Sequence, residues 1–128
     1  MSEPVFISEE EVRAIHRRRL EKHGGMDGAR DPRTLASALN QPEAAWFYTE
    51  ADMFTLAAAN AFHIAQNQPF IDGNRRAAVT TALTFVAVNG VNNSPCPDDV
   101  IYDALIAIAE KLLDKPGLAA VFRSRLSS

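Results

Sequence analysis

Five consecutive residues between two apolar segments combine one acid, one glycine and three hydrogen-bond donors: Asp72, Gly73, Asn74, Arg75 and Arg76. The flanking segments, 54–65 and 77–88, predict a helix, a tight loop and a second helix. A helix N-terminus has unpaired backbone N–H groups and a partial positive charge, so it binds phosphate readily. Gly73 lets a ligand approach the backbone, and Asp72 can hold a divalent cation against phosphate oxygens. The stretch therefore predicts an anion site, with a nucleotide phosphate as the expected ligand.

An alternative interpretation is that Asp-Gly-Asn is ordinary turn and capping chemistry. Arg75 and Arg76 argue against it, because positive charge in the first turn of a helix is disfavoured by the helix dipole. On physical grounds alone, three donors and one acid at a glycine turn favour the anion site over a simple cap.

Residues 68–76 resemble the signature of the Fic/Doc family, His-Pro-Phe-x-Asp-Gly-Asn-Gly/Lys-Arg. The positions that match are Pro69, Phe70, Asp72, Gly73, Asn74 and Arg76. Residues 6–42 are similar to the death-on-curing (Doc) branch of that family, through the Gly24-Gly25 pair and Arg30-Asp31-Pro32 among others. The resemblance covers residues 5–112, and the combination is far more specific than a single glycine motif.

The resemblance implies an enzyme that transfers a phosphate-containing group from a nucleotide to a hydroxyl of a protein. For the Doc branch this is the γ-phosphate of ATP, transferred to a threonine of translation elongation factor Tu, whereas other Fic branches transfer AMP. Asp72 would then hold Mg²⁺, and the phosphates would be held by Gly73, Asn74, Arg75 and Arg76. Phe70 is expected to be a core anchor beneath the loop. The second arginine of many adenylylating members falls at Val79, and its absence also fits the Doc branch.

The catalytic histidine of the family falls at position 68, where this chain has Gln68. An amide cannot accept a proton near neutral pH, and loss of a general base lowers rates by about 10²–10⁴-fold. Three interpretations stay open: an inactivating replacement, a natural member with lost or altered chemistry, or a replacement rescued by another base. His63 and His16 are the candidates for rescue. Helical rise places His63 some turns from the phosphates, and His16 is better explained as a hydrogen-bonded, partly buried histidine of the first helix.

Residues 43–52 form the most aromatic and least helix-like stretch of the chain. Its aromatic residues are Trp46, Phe47 and Tyr48. They can pack on the core, but we favour an exposed flap used for recognition. In the resembled family such a flap holds the target polypeptide beside the nucleotide.

The remaining pattern predicts a single all-α domain over residues 1–128, with a buried central helix at 74–88 and a small flap. The other expected helices span about 8–22, 31–41, 51–66 and 98–113, with a last one starting at residue 116. Ser8 and Glu11 form a capping-box pattern, and Asp31-Pro32 is a cap followed by proline at the first helical position. We expect Pro42 to end the second helix.

Composition excludes several classes of protein. The chain has 128 residues, 47% hydrophobic and 23% charged, which is an ordinary globular composition. A net charge of −3 gives no indication of direct nucleic-acid binding, and the apolar segments are too short to span a membrane. A local basic cluster is interpreted as a solvated helix face: Arg13, Arg17, Arg18, Arg19 and Lys22. The single cysteine, Cys96, and the lack of a signal pattern indicate a cytoplasmic protein.

Many Fic proteins inhibit themselves through Ser/Thr-x-x-x-Glu-Gly/Asn, and no glutamate of this sequence is followed by glycine or asparagine. The resemblance therefore implies a separate inhibitor, a cognate antitoxin. Two functions stay open at this point. The first is a Fic/Doc-type toxin impaired by Gln68, and the alternative is a non-catalytic module that binds a nucleotide or a protein in the same cleft.

Overall fold

A computed structural model describes residues 2–127 of the chain. Six helices make up the fold of these residues: α1 (Glu9–His23), α2 (Pro32–Thr49), α3 (Met53–Asn67), α4 (Asn74–Val88), α5 (Asp98–Ala109) and α6 (Lys115–Leu126). The prediction of an all-α fold is confirmed. Between residues 2 and 127 the only β-type pairing is an isolated antiparallel bridge between Ala29 and Phe70. No helix in this part of the chain has the length and apolarity needed to cross a bilayer.

Four of these helices begin at a side chain that accepts a hydrogen bond from a backbone N–H of the first turn: Ser8, Asp31, Asp52 and Asp114. These caps satisfy donors that a helix leaves unpaired. The predicted capping box is confirmed, because Ser8 caps Glu11 and the Glu11 carboxylate accepts from the Ser8 N–H. α4 begins after Gly73 and has no such side-chain cap from any described residue.

The core lies between α3 and α4, which pack on each other and on the remaining helices. α3 contacts α2, α4, α5 and α6, whereas α4 contacts α1, α3 and α5. The sequence predicts one central helix, now α4, whereas in the structure α3 and α4 together occupy the centre. Small residues permit this close packing, since Ala57, Ala58 and Ala61 of α3 are fully buried. Cys96 is also buried, and its burial raises the pKa of the thiol.

α2 does not end at Pro42. The helix continues for seven further residues to Thr49, with Pro42 buried in its interior. A proline inside a helix removes one backbone hydrogen bond and costs about 3 kcal/mol. Ala45 and Trp46 pack against the core, so the burial of this last part of α2 offsets that cost. The prediction was wrong because it rested on the local helix-breaking tendency of proline and left out the tertiary contacts of the residues that follow it.

α5 ends four residues earlier than predicted. Lys111 has a left-handed backbone with φ of 63°. The Leu112 N–H donates to Ala107 O, and the Lys111 N–H donates to Ile108 O. This pair of bonds is a Schellman C-cap, in which the left-handed residue is usually glycine. A lysine in that position gave no signal in the sequence that the helix ends here.

Candidate functional site

The loop between α3 and α4 exposes a helix start that no side chain of residues 2–127 caps. Gln68 ends α3 in a left-handed conformation with φ of 47°, and Gly73 precedes α4 with φ of 79°. The first helical bond of α4 runs from the Ala77 N–H to Gly73 O. The preceding N–H groups of the first turn are therefore available to a ligand, as the sequence predicts for a phosphate site.

Asn74 holds the loop in shape through its side chain. Its Oδ1 accepts from the Phe70 N–H at 3.0 Å, and its Nδ2 donates to Phe70 O at 2.9 Å. Phe70 itself is only 3% exposed. The Asn74 side chain thus braces the loop, and its part in binding phosphate remains a prediction.

His16 of α1 packs against the same loop. Its ring stacks on Phe70 with 3.7 Å between ring centres and 6° between planes. Its Nε2 donates to the carbonyl oxygen of Asp72 at 2.6 Å, and its Nδ1 lies 3.9 Å from Asp27 Oδ1. The prediction of a hydrogen-bonded, buried histidine is confirmed. Because Nε2 is engaged by the backbone, His16 acts on the loop and does not face a ligand as a base.

The segment that lies beside the loop is 24–31, between α1 and α2. Three backbone N–H groups link the two segments: Met26 donates to Asp72 Oδ2, Ile71 to Gly28 O and Arg30 to Pro69 O. Gly28 has φ of 135°, and a Cβ there would lie 2.9 Å from Ile71 Cδ1. The backbone conformation favours glycine here, whereas the end of the flexible Ile71 side chain could move aside. The glycines and Arg30 belong to the sequence resemblance, but the sequence gives no indication that their segment is hydrogen-bonded to the motif.

Trp46, Phe47 and Tyr48 do not form a flap over the loop. They lie in the last turns of α2. The other end of that helix is the one near the loop, where Asn67 Nδ2 donates to Thr34 O. Twelve residues separate Thr34 from Trp46, which corresponds to about 18 Å of helix. The expectation of a non-helical flap is therefore wrong for these residues, because their helical packing was not apparent from the aromatic composition, whereas their role in target recognition stays a prediction. Phe47 and Tyr48 are exposed at this far end.

Gln68, which the resemblance places at the position of the family's catalytic histidine, contacts Arg30. The Arg30 Nη1 lies 3.4 Å from Gln68 Oε1, at the long limit of a hydrogen bond. Both predicted substitute bases, His16 and His63, are engaged by other groups of the fold. His63 accepts a hydrogen bond at Nε2 from Lys115 Nζ at 2.8 Å, on the side of α3 that faces α6. Burial, followed by the charge of Lys115, lowers the pKa of His63 to about 4.

A cleft of about 890 Å³ opens at the loop. Its lining brings together the predicted residues Gln68, Asp72, Gly73, Asn74, Arg75 and Arg76. The lining also includes apolar side chains of α3 and α5, among them Phe62, Leu105 and Ile108. Arg76 lies over the ring of Tyr102, with its guanidinium carbon 4.8 Å from the ring centre. The cleft thus combines cationic and apolar lining residues.

Two basic residues outside the motif also line the cleft, Arg19 of α1 and Lys111 after α5. The basic cluster of α1 was interpreted as a solvated face. This holds for Arg17, Arg18 and Lys22, which are exposed or nearly so, but the Arg19 side chain turns inward and is 24% exposed. Helical periodicity places Arg19 three residues after His16, and that spacing was the available signal. Among the described residues, Asp72 is the only carboxylate of the lining.

The electrostatic consequence is visible at His23, which also lines the cleft. Loss of solvation, followed by the charges of Arg76, Lys22 and Arg19, lowers the pKa of His23. Three cations act on one exposed imidazole, so the region favours anions.

The sequence model of the Fic/DOC family matches residues 6–86. The chain belongs to the Fic/Doc family. It is 32% identical over 93 residues to the protein kinase doc of Escherichia phage P1, covering 72% of this chain and 74% of the relative. It is 32% identical over 100 residues to the toxin Doc of Mycolicibacterium smegmatis, covering 76% and 77% of the two chains. The predicted family resemblance is thereby confirmed.

Proposed function

We propose that this chain is a Doc-type toxin whose cleft binds ATP together with Mg²⁺. The uncapped N-terminus of α4, which faces a cationic cleft with Arg75 and Arg76, is the observation that supports it. The apolar lining residues offer a surface for the base of a nucleotide. Within residues 2–127 no group of three or more His, Cys, Asp or Glu side chains could hold a metal by itself. A single carboxylate, Asp72, completed by phosphate oxygens is nevertheless a ligand set that Mg²⁺ accepts.

The proposed ancestral reaction is phosphoryl transfer to a protein hydroxyl, with elongation factor Tu as the expected target. The hydroxyl oxygen bonds to the γ-phosphorus, the bond to the β–γ bridging oxygen breaks, ADP leaves, and the hydroxyl proton goes to a base. Transfer of AMP is the alternative chemistry on the same cleft. Gln68 cannot take that proton, so we propose that the present sequence is impaired or inactive.

Restoring histidine tests the proposal directly. Gln68→His is incubated with Mg²⁺, a translation extract and ATP labelled at either the α- or the γ-phosphate. Transfer of γ-label identifies a kinase, transfer of α-label identifies AMP transfer, and expression of an active variant should arrest growth. Gln66→His is the matched control, because Gln66 also lines the cleft but lies outside the motif position. If Gln68→His is as inert as Gln66→His, the proposed reaction is wrong.

The second candidate function is a non-catalytic module that binds a nucleotide or a protein in the same cleft. The contact between Arg30 and Gln68 favours it, since it gives the amide a partner other than a reacting hydroxyl. This candidate predicts ATP binding without transfer both in the wild type and in Gln68→His. Both candidate functions require ATP binding, which calorimetry with Mg²⁺-ATP measures. Arg76→Ala should weaken this binding by about 1.5–3 kcal/mol. Equal affinity in the wild type and Arg76→Ala would remove Arg76 from the site.

The proposal includes a cytoplasmic location and a cognate antitoxin encoded beside the chain. An antitoxin segment that folds on binding would cover the cleft between Gln68 and Arg76. Co-purification from the native operon, followed by hydrogen exchange on the complex, tests this. We expect protection of the loop and the first turn of α4. Protection confined to the far end of α2 would contradict it.

A further inference from the structure

The Arg19 side chain is partly buried, with 24% of its surface exposed. Its Nε is buried and has no hydrogen-bond partner within residues 2–127. The carboxylate of Asp98 lies 3.9 Å from Nη1, which exceeds the usual hydrogen-bond distance of about 3.2 Å. A buried N–H without a hydrogen-bond partner is unfavourable. Arg19 is thus held in a state that an anion would stabilise.

Arg19 faces the same region of the cleft as Arg76. Both line the main cleft, and both line a recess of about 10 Å³ beside Tyr102. Asp98 and Asp99 also line that recess, and Asp98 is the nearer charge to Arg19. Two guanidinium groups, one from α1 and one from α4, therefore line the same recess. The long distance to Asp98 leaves the Arg19 donors open to a stronger acceptor.

We propose that Arg19 binds a second anionic group of the ligand, so that the cleft selects a chain of linked phosphates over a single phosphate. One phosphate lies at the α4 N-terminus with Arg75, and a further one lies between Arg19 and Arg76. Only linked phosphates place charge at both positions within one molecule. This inference rests on the proposed nucleotide site and specifies its ligand class. Arg19 is a binding residue in this scheme, outside the motif of the family.

Inorganic tripolyphosphate and AMP are the probes, measured by calorimetry at fixed ionic strength on the full chain. Arg19→Gln should lower the affinity for tripolyphosphate by about tenfold or more, the size expected for lost charge-assisted hydrogen bonds. Its affinity for AMP should change by less than about threefold. Arg18→Gln is the matched control, because it removes the same charge from the adjacent, exposed position of α1. Because salt screens an exposed charge, the affinities of Arg18→Gln for both probes should stay within about threefold of the wild type.

Asp98→Asn provides an independent test that leaves Arg19 intact. Removal of the nearest carboxylate should strengthen tripolyphosphate binding severalfold, and thermal unfolding shows whether each variant is folded. The inference is overturned if Arg19→Gln behaves like Arg18→Gln while Arg76→Ala still weakens binding. It is also overturned if Arg19→Gln loses both probes equally, or if Asp98→Asn gives no gain. If the wild type binds neither tripolyphosphate nor AMP, the proposed function is overturned, and the inference with it.

Discussion

The Nε2 atom of His16 lies 2.6 Å from the carbonyl oxygen of Asp72, so α1 is hydrogen-bonded to the loop that precedes α4. The same ring stacks on Phe70. One buried side chain therefore joins the first helix to two residues of the motif. The position of the α4 N-terminus relative to Arg19 depends on this contact.

Replacing His16 should separate packing from hydrogen bonding. His16→Ala removes both and should lower the free energy of unfolding by about 2–4 kcal/mol. His16→Phe retains a ring against Phe70 but leaves the Asp72 carbonyl unbonded, and should cost about 1–2 kcal/mol. Urea unfolding measures both, with Arg17→Ala on the exposed face as the control, expected within about 0.5 kcal/mol. Equal losses in the two His16 variants would show that the hydrogen bond dominates.

Asn74 should matter for stability as well as for binding. Asn74→Ala leaves the backbone N–H and C=O of Phe70 without their partners, and an unsatisfied buried group costs about 1–3 kcal/mol. We expect that loss in urea unfolding, together with weaker ATP binding. Asn40→Ala, on the exposed side of α2, serves as the control. A stability equal to that of Asn40→Ala would show that the brace is dispensable.

His63 should make the fold sensitive to mild acid. Its pKa is about 4 in the folded protein, against 6.5 when unperturbed, so the unfolded chain takes up the proton first as the pH falls. The free energy of unfolding should therefore decrease between pH 6.5 and about 4 and level off, in this contribution, below that range. His63→Gln should remove this component from a series of urea titrations. Lys115→Met should remove only part, because burial is the larger cause. An unchanged slope in His63→Gln would contradict the assignment.

Replacing Lys111 with glycine should stabilise the fold. Lys111→Gly relieves a left-handed backbone that glycine adopts freely, and should raise the free energy of unfolding by about 0.5–1 kcal/mol. Lys111→Ala keeps the backbone strain and removes the same charge, so it isolates the side-chain contribution. Thermal unfolding of both variants measures the difference. Equal stability of the glycine and alanine variants would show that the left-handed conformation is not strained here.

The sequence by itself determined the features that depend on local chemistry. Ser8 with Glu11, and Asp31 with Pro32, fixed where α1 and α2 begin, because capping involves atoms only a few residues apart. The matched motif also identified the loop and the helix start that line the cleft. These features survive in any tertiary context that keeps the helices.

Only the tertiary structure decided which residues meet the loop. Pro42 is a helix breaker by local rules, yet burial of the turns beyond it keeps α2 helical and moves Trp46 away from the site. Helical spacing places Arg19 and not Arg18 near the face of His16, but the packing of α1 on α4 decides that this face borders the cleft. The physical reason is that burial energies come from contacts between residues distant in sequence. A pattern that extends over one helix contains no record of what packs against it.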